Sequence, residues 1–477
     1  MDSLNRHYLN LYGDNRIPTP NIDRLGKRGI VFDRHYAGSL PCMPARRELM
    51  TGRINFLENI WGPIEPWDDC LPTELRKQKN TYSHLITDHY HYFHEGGDGY
   101  HTLFNTWQFE RGQESDVWHP MVADPDVPAE FRGRNGRQYW VNRKNMDTER
   151  DEDYSTPRCF AKAIEFLDKN GTQDNWHLHL EVFDPHEPFV APKKYLEKFN
   201  DTWDKYHFDW PKYEAVTEGP DAIEHIRKMY SAVLTMADVW LGKFLDKMDE
   251  MDMWKDTAVI FSTDHGHLLG EHGYWAKNYC FDYQELVHIP LVVCTPETAK
   301  NPGRISALTA TIDLMPTIME LHGAKLPEGV HGKSLMHLLK KDEAHHDAVM
   351  YGIFGKDINI CDGKYTYCRQ PLEGSVVHHH TLMPARFVAF IPQEHLAKAE
   401  TGIFLKHCKN YPHLRITRPS HRHANAPDFN PIYDLSADPW QTKPISDAEL
   451  EKKLAAKMKE LMIRYDAPDS QFTRVGL

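Results

Sequence analysis

No stretch of this sequence stays apolar for long. A helix that crosses a bilayer needs about 20 consecutive, mostly apolar residues, and none stands out in a chain whose mean hydropathy is -0.63. Positive charge is also short: 56 Lys and Arg stand against 69 Asp and Glu, a net charge of -13. That balance argues against a nucleic-acid partner, which calls for a basic face. An anionic substrate must then be drawn in by local cations or a metal, not by the overall field. Cysteines are present but show no pairing pattern. The 8 of them lack the close spacing of zinc sites and small disulfide frameworks, so all but one read as ordinary buried thiols. Internal repeats, low-complexity tracts and a signal peptide are missing too. Met1 is followed at once by Asp2-Ser3-Leu4-Asn5-Arg6. On that reading the chain is cytoplasmic as it stands, or periplasmic or secreted if a segment lies upstream.

What is present is enough for a large core: 40% of 477 residues are hydrophobic. Short apolar runs alternate with longer helical patterns, the signature of an α/β fold with a parallel sheet. Strands are expected over 176–183, 258–262 and 289–294. Two of them run into polar clusters, Asp184-Pro185-His186 and Thr263-Asp264-His265-Gly266. Ligands of open α/β sheets gather beyond the carboxyl ends of the strands, so these clusters are candidates for one shared rim. Helices are expected over 220–251 and 313–322. The later texture is of short strands, turns and a final helix. Ser446 with Glu449 reads as its capping box, and Leu450, Leu454, Met458, Leu461 and Met462 as its apolar face. The chain thus divides into a main α/β domain at 1–345 and a smaller α+β subdomain at 346–477. His378-His379-His380 reads as a solvated loop.

The most informative stretch is Cys42-Met43-Pro44-Ala45-Arg46, followed by Leu49-Met50-Thr51-Gly52-Arg53. Arg46 lies one helical turn beyond Cys42, so in a helix their side chains share a face. A guanidinium there is suited to holding anionic oxygens in a fork. The stretch resembles the sulfatase signature, Cys-x-Pro-Ser/Ala-Arg with a following Leu-x-Thr-Gly-Arg. The resemblance continues in Pro20-Asn21-Ile22-Asp23-Arg24-Leu25, Asp184-Pro185-His186-Glu187-Pro188 and Ser262-Thr263-Asp264-His265-Gly266 with Lys277. It extends to Asp313-Leu314-Met315-Pro316-Thr317, Gly332-Lys333-Ser334-Leu335 and Ile432-Tyr433-Asp434-Leu435.

The resemblance implies an alkaline-phosphatase-like fold: a central, mostly parallel sheet flanked by helices. It implies a sulfuric ester hydrolase acting on a sulfated small molecule or glycan. Cys42 would be converted by a maturation enzyme to formylglycine (3-oxoalanine), whose hydrated aldehyde attacks sulfur. A geminal diol can release sulfate by collapsing back to the aldehyde, which a serine cannot do. Asp2, Asp264 and His265 would be the metal ligands, with Ca²⁺ as the family's usual ion and Mg²⁺, Mn²⁺ or Zn²⁺ compatible with that donor set. His186 would protonate the leaving alcohol, and Arg46 and Lys277 would meet the sulfate.

Two departures from the family pattern are visible. Many sulfatases carry a Gly-Lys-x-His element where this chain reads Leu85-Ile86-Thr87-Asp88-His89-Tyr90-His91, with no lysine. His89 and His91, or the hydroxyls of Thr87 and Tyr90, are candidates to replace it, and Arg111 lies in the same aromatic-rich region. That region, 88–118, suits a sulfated sugar ring or covers the sheet edge. Hydroxyls at this place also occur in relatives acting on phosphonates or phosphodiesters, so a phosphorus ester hydrolase is the alternative activity. The second departure is a missing strand: in such a fold a central strand leads into the first metal aspartate, here Asp2. A fragment or an inactive sugar-sulfate binding protein is therefore a third reading.

Overall fold

The computed structural model describes residues 1–13, 16–146 and 148–477. Seven strands build its main sheet: β1 (Ile30–Tyr36), β2 (Tyr82–Thr87), β3 (Thr106–Phe109), β4 (Trp176–Leu180), β5 (Val259–Ser262), β6 (Leu291–Cys294) and β7 (Gly303–Ala310). They form two ladders, β3-β2-β4 and β7-β1-β6-β5. The first is wholly parallel. In the second, β1 and β7 are parallel, while β6 is antiparallel to β1 and to β5. Residues 1 and 2 align the ladders. The Met1 α-nitrogen donates to the Ser262 carbonyl at 3.1 Å, and Asp2 N–H to the Val182 carbonyl at 3.0 Å. The carboxyl ends of β4 and β5 are therefore neighbours. Of the seven strands, β6 alone opposes the rest, which is the mostly parallel sheet expected from the alternating pattern.

The helices that matter for the site are α1 (Cys42–Thr51), α2 (Ser155–Asn170), α3 (Pro220–Glu250), α4 (Leu314–Leu321) and α5 (Ala448–Arg464). On one side, Phe160, Ala163 and Phe166 of α2 share a core with Ile226, Tyr230 and Leu234 of α3 and with Ile86 of β2. Elsewhere, α4 packs Met315 and Met319 on Leu71 and Leu75. Each pair obeys the i, i+3/i+4 spacing that makes one apolar stripe per helix.

A second, antiparallel sheet follows: β8 (Val349–Ile353), β9 (Ile358–Cys361), β10 (Tyr365–Arg369) and β11 (Ile432–Asp434). It also takes in Ser39–Leu40, which pairs parallel with β8. Those two residues lead through Pro41 into Cys42, so both sheets hold the start of α1. The final helix buries Leu454, Met458, Leu461 and Met462 against the second sheet, with Leu450 partly buried. Its cap is Asp447, whose carboxylate accepts from the N–H groups of Glu449 and Leu450. Asp447 directly precedes the first turn, so it and not Ser446 reaches the unpaired donors there. The histidine triplet is also not a loop. It lies in the strand Val376–Thr381, paired with His413–Pro419, with His379 and His380 buried. Burial pushes the His380 pKa down to about 3, so the ring enters the core uncharged.

Candidate active site

The site forms where α1 begins, opposite the polar clusters that end β4 and β5. Cys42 is the first residue of α1 and is buried. Its Sγ lies 3.2 Å from His265 Nε2 and 3.3 Å from Lys277 Nζ. Burial first, then the Asp2 and Asp264 carboxylates, push the thiol well above its usual pKa despite Lys277 and Arg46. Lys277 Nζ also donates to Ser3 Oγ at 3.1 Å and stands 4.0 Å from Asp2 Oδ1. Burial works against its charge, but Cys42, Asp2, Glu187 and Asp264 outweigh burial and hold its pKa above the usual lysine value.

Arg46, one turn along α1, sits between three carboxylates. It donates to Asp2 Oδ2 at 2.9 Å, to Asp264 Oδ2 at 2.8 Å and to Glu181. Asp2 is completely buried. Burial opposes its ionisation, yet Arg46, His186, Lys277 and His265 together hold its carboxyl well below the usual range. His265 pairs its Nδ1 with the Gly266 carbonyl at 2.8 Å, which turns Nε2 toward Cys42 and Asp264. Burial keeps its pKa low, so the ring is neutral with an Nε2 lone pair to offer. Gly266 is required here: a Cβ would meet the Glu285 carbonyl oxygen at 1.8 Å.

Asp2, Asp264 and His265 offer ligand atoms that lie, with Cys42 Sγ, within 4.8 Å of one another. Two carboxylates and an imidazole whose other nitrogen is fixed by a carbonyl fit a divalent cation. The Arg46 guanidinium between the carboxylates shows that the place accommodates positive charge.

His186 follows β4 on a turn with cis peptide bonds before Pro185 and Pro188. Its Nδ1 lies 2.6 Å from the Glu187 carbonyl, 3.4 Å from the Glu187 carboxylate and 3.7 Å from Glu114. Nε2 is thereby left to exchange a proton. The Glu187 carboxylate also accepts from Tyr213 and faces His267 Nδ1 at 3.5 Å. Burial disfavours its charge, but His186, His267 and Lys277 lower its pKa far below the usual range.

The candidates for the missing lysine are arranged along one side. His89 Nε2 is 3.3 Å from Met43 Sδ, and its ring stacks on Phe183, which in turn touches His186. His91 faces Glu114 at 3.5 Å. Arg111 is turned elsewhere: it forks onto Asp116 at 2.6 and 2.7 Å and lies over Phe109. Reading the sequence missed Ser3, Glu181, Glu114, Tyr213, Glu187 and His267 as site residues. Glu187 stands inside a quoted motif and His267 directly follows one, so both were within reach; Glu114 and Tyr213 lie in irregular loops that carry no pattern.

Comparison with known proteins follows the same lines. The sulfatase family profile matches residues 1–324. The multifunctional alkaline phosphatase superfamily protein PehA of Trinickia caryophylli is 26% identical over 390 residues, covering 68% of this chain and 71% of that protein. A protein solved with its substrate D-glucosamine-2-N,6-O-disulfate superposes with a TM-score of 0.67 at 16% identity, covering 98% of this chain and 97% of the other. The phosphonate monoester hydrolase of Agrobacterium radiobacter superposes with a TM-score of 0.68 at 18% identity, covering 97% and 94%. With the profile spanning most of its length, the fold shared and the signature residues gathered in one buried site, the chain belongs to the sulfatase family, sulfuric ester hydrolases of the alkaline-phosphatase-like fold.

Proposed function

We propose that this chain hydrolyses a sulfate monoester on a carbohydrate, with Cys42 as the precursor of a formylglycine nucleophile. The observation that carries the reading is the meeting of Cys42 Sγ, Lys277 Nζ and His265 Nε2 at 3.2 to 3.3 Å beside two buried carboxylates. A cysteine acting as itself needs a lowered pKa, and here burial and the carboxylates raise it. Sγ stands where a hydroxyl of the hydrated aldehyde would stand.

Asp2, Asp264 and His265 would hold the metal, Ca²⁺ by the resemblance, with Arg46 then free to turn from the carboxylates toward the sulfate. A divalent ion held by these residues would supply positive charge that favours an ionised hydroxyl on the hydrated aldehyde and draws charge from the ester. Lys277, fixed by Ser3 and Asp2, places a full positive charge where sulfate oxygens gain charge. His186, with Nδ1 on a carbonyl, gives its Nε2 proton to the leaving alcohol. His89 and His91 line the approach in place of the missing lysine. A sugar is favoured by the aromatic wall of Tyr90, Trp61 and Phe387 around His91, and a structural neighbour takes a sulfated amino sugar.

The test is turnover of aryl sulfate, phosphonate monoester and phosphodiester by protein matured with the formylglycine-generating enzyme. Sulfate preference supports the reading. Preference for the phosphonate, which the second neighbour's activity would parallel, replaces it with the phosphorus alternative.

A further inference from the structure

Apart from the active site, three side chains of metal-ligand type meet in the core from distant segments. Asp282 lies on the segment that continues from Lys277, Asp357 directly precedes β9, and His423 belongs to the loop that leads into β11. Their exposures are 4%, 1% and 4%, so each is out of reach of bulk water. One ligand atom from each lies within 4.8 Å of the others. Asp282 Oδ1, Asp357 Oδ1 and His423 Nε2 all lack a hydrogen-bond partner. His423 Nε2 does stand 2.6 Å from Asp357 Oδ1, but off the line that a hydrogen bond needs.

The surroundings orient these groups without neutralising them. Asn359 shares a face with Asp357 by strand alternation. It donates to Asp357 Oδ2 at 2.7 Å and reaches Asp282 Oδ2 only at 3.5 Å. Lys356 Nζ donates to the Asn278 carbonyl and stands 3.2 Å from His423 Nδ1, the ring nitrogen on the far side from Asp357. Among the described residues no lysine or arginine forms an ion pair with Asp282 or Asp357. Burial first, then the Asp357 carboxylate, pushes the Asp282 carboxyl up to about 7. Carboxylates this deep need a counter-charge. Three unpartnered atoms that converge on one another are what a bound cation satisfies and a hydrogen bond here does not.

We propose that Asp282, Asp357 and His423 hold a second divalent cation of the zinc class, at a structural site separate from Asp2, Asp264 and His265. An imidazole with two carboxylates, closed off from solvent, suits Zn²⁺. Ca²⁺, which takes about 6–8 oxygen ligands, finds too few here. The ion fastens the start of β9 and the loop before β11 to the segment carrying Lys277, because Asp282 and Asn278 both belong to that segment. Its role is to position Lys277, and it holds whichever ester the enzyme cleaves.

The experiment loads the full chain with Zn²⁺, dialyses it against metal-free buffer and reads bound metal by elemental analysis. Asp264→Asn serves as the background, so that the catalytic ligands do not contribute. The expected result is one zinc per chain in that background, with at least a tenfold loss when Asp282→Asn or His423→Gln is added. Melting in Zn²⁺ is the second arm, and it separates a bound cation from a proton shared between the carboxylates. A cation predicts that Asp282→Asn lowers the Tm in Zn²⁺, by about 5 °C for a site filled well above its Kd. A shared proton predicts that the same variant, equal in shape and uncharged, raises it. Three results overturn the proposal: a background without zinc, zinc that stays when Asp282 or His423 is replaced, or a Tm that rises in Asp282→Asn. None of these readouts is an activity, so failure here and failure of the catalytic reading remain distinct.

Discussion

The Lys277 ammonium lies 3.3 Å from Cys42 Sγ and 3.3 Å from His265 Nε2. Lys277 and Cys42 are 235 residues apart in sequence, so only the fold makes them partners. If Lys277 stabilises charge on the sulfate, Lys277→Ala should cost about 10²- to 10³-fold in kcat/KM, the usual loss of one fixed donor at a developing charge. Steady-state kinetics on an aryl sulfate, with Tm as a check on folding, measures this. Unchanged kcat/KM in a folded variant would remove Lys277 from the site.

His186 is expected to matter in proportion to the leaving group. His186→Ala should slow poor leaving groups about 10²- to 10⁴-fold and activated aryl esters much less, because only an alkoxide needs the proton. A Brønsted series of aryl and alkyl sulfates reads the difference. Parallel losses across the series would show that His186 binds substrate and does not protonate it.

Removing metal should destabilise the protein. An ion held by Asp2, Asp264 and His265 stabilises the folded state by about 2.7 kcal/mol at a hundred times its Kd. Chelator treatment should lower the Tm, added Ca²⁺ should restore it, and Asp264→Asn should abolish the difference. Identical melting with and without Ca²⁺ would mean that Arg46 keeps the carboxylates for itself.

A buried carboxyl pair behind His186 sets a pH dependence of stability. The Asp184 pKa is pushed up to about 8, first by burial and then by neighbouring Asp88. Unfolded, the group titrates near ~3.9. Between these values the folded state binds more protons than the unfolded, so stability falls as pH rises from about 4 to about 8. Asp184→Asn should remove that slope, raising the Tm by a few degrees at pH 8.5 and hardly at all at pH 4. Thermal melts across the range measure it; an unaltered slope would assign the titration to another group.

The parts of this arrangement legible in the sequence share one property. Cys42, His186, Asp264 and His265 each sit in a short contiguous motif at a strand end or helix start, where backbone and side-chain chemistry are coupled locally, and Lys277 follows the Asp264-His265-Gly266 motif along the same segment. Long elements such as α3 and the apolar face of α5 were legible for the same reason, since periodicity is local. What escaped depends on contacts between distant segments. Ser3 bridges Asp2, Asp264 and Lys277 only because its backbone takes a left-handed φ of 59°, which is uncommon for a non-glycine residue. Glu114 reaches His186 from a loop with no period to read. The triplet at His378 looked polar by composition, but neutral imidazoles alternate well on a pleated surface, and pairing with a distant strand decided their place. Ser39–Leu40 joined the C-terminal sheet for a similar reason, which no reading of residues 346 onward alone could reveal.

The central claim is that position 42 of the working enzyme is not a thiol. The most direct test is the mass of the peptide spanning Pro41 to Arg46 from active native protein, with capture by an aldehyde-reactive hydrazide. The account predicts the formylglycine mass and hydrazide capture, both lost along with turnover in Cys42→Ala. An unmodified cysteine throughout fully active enzyme would contradict it.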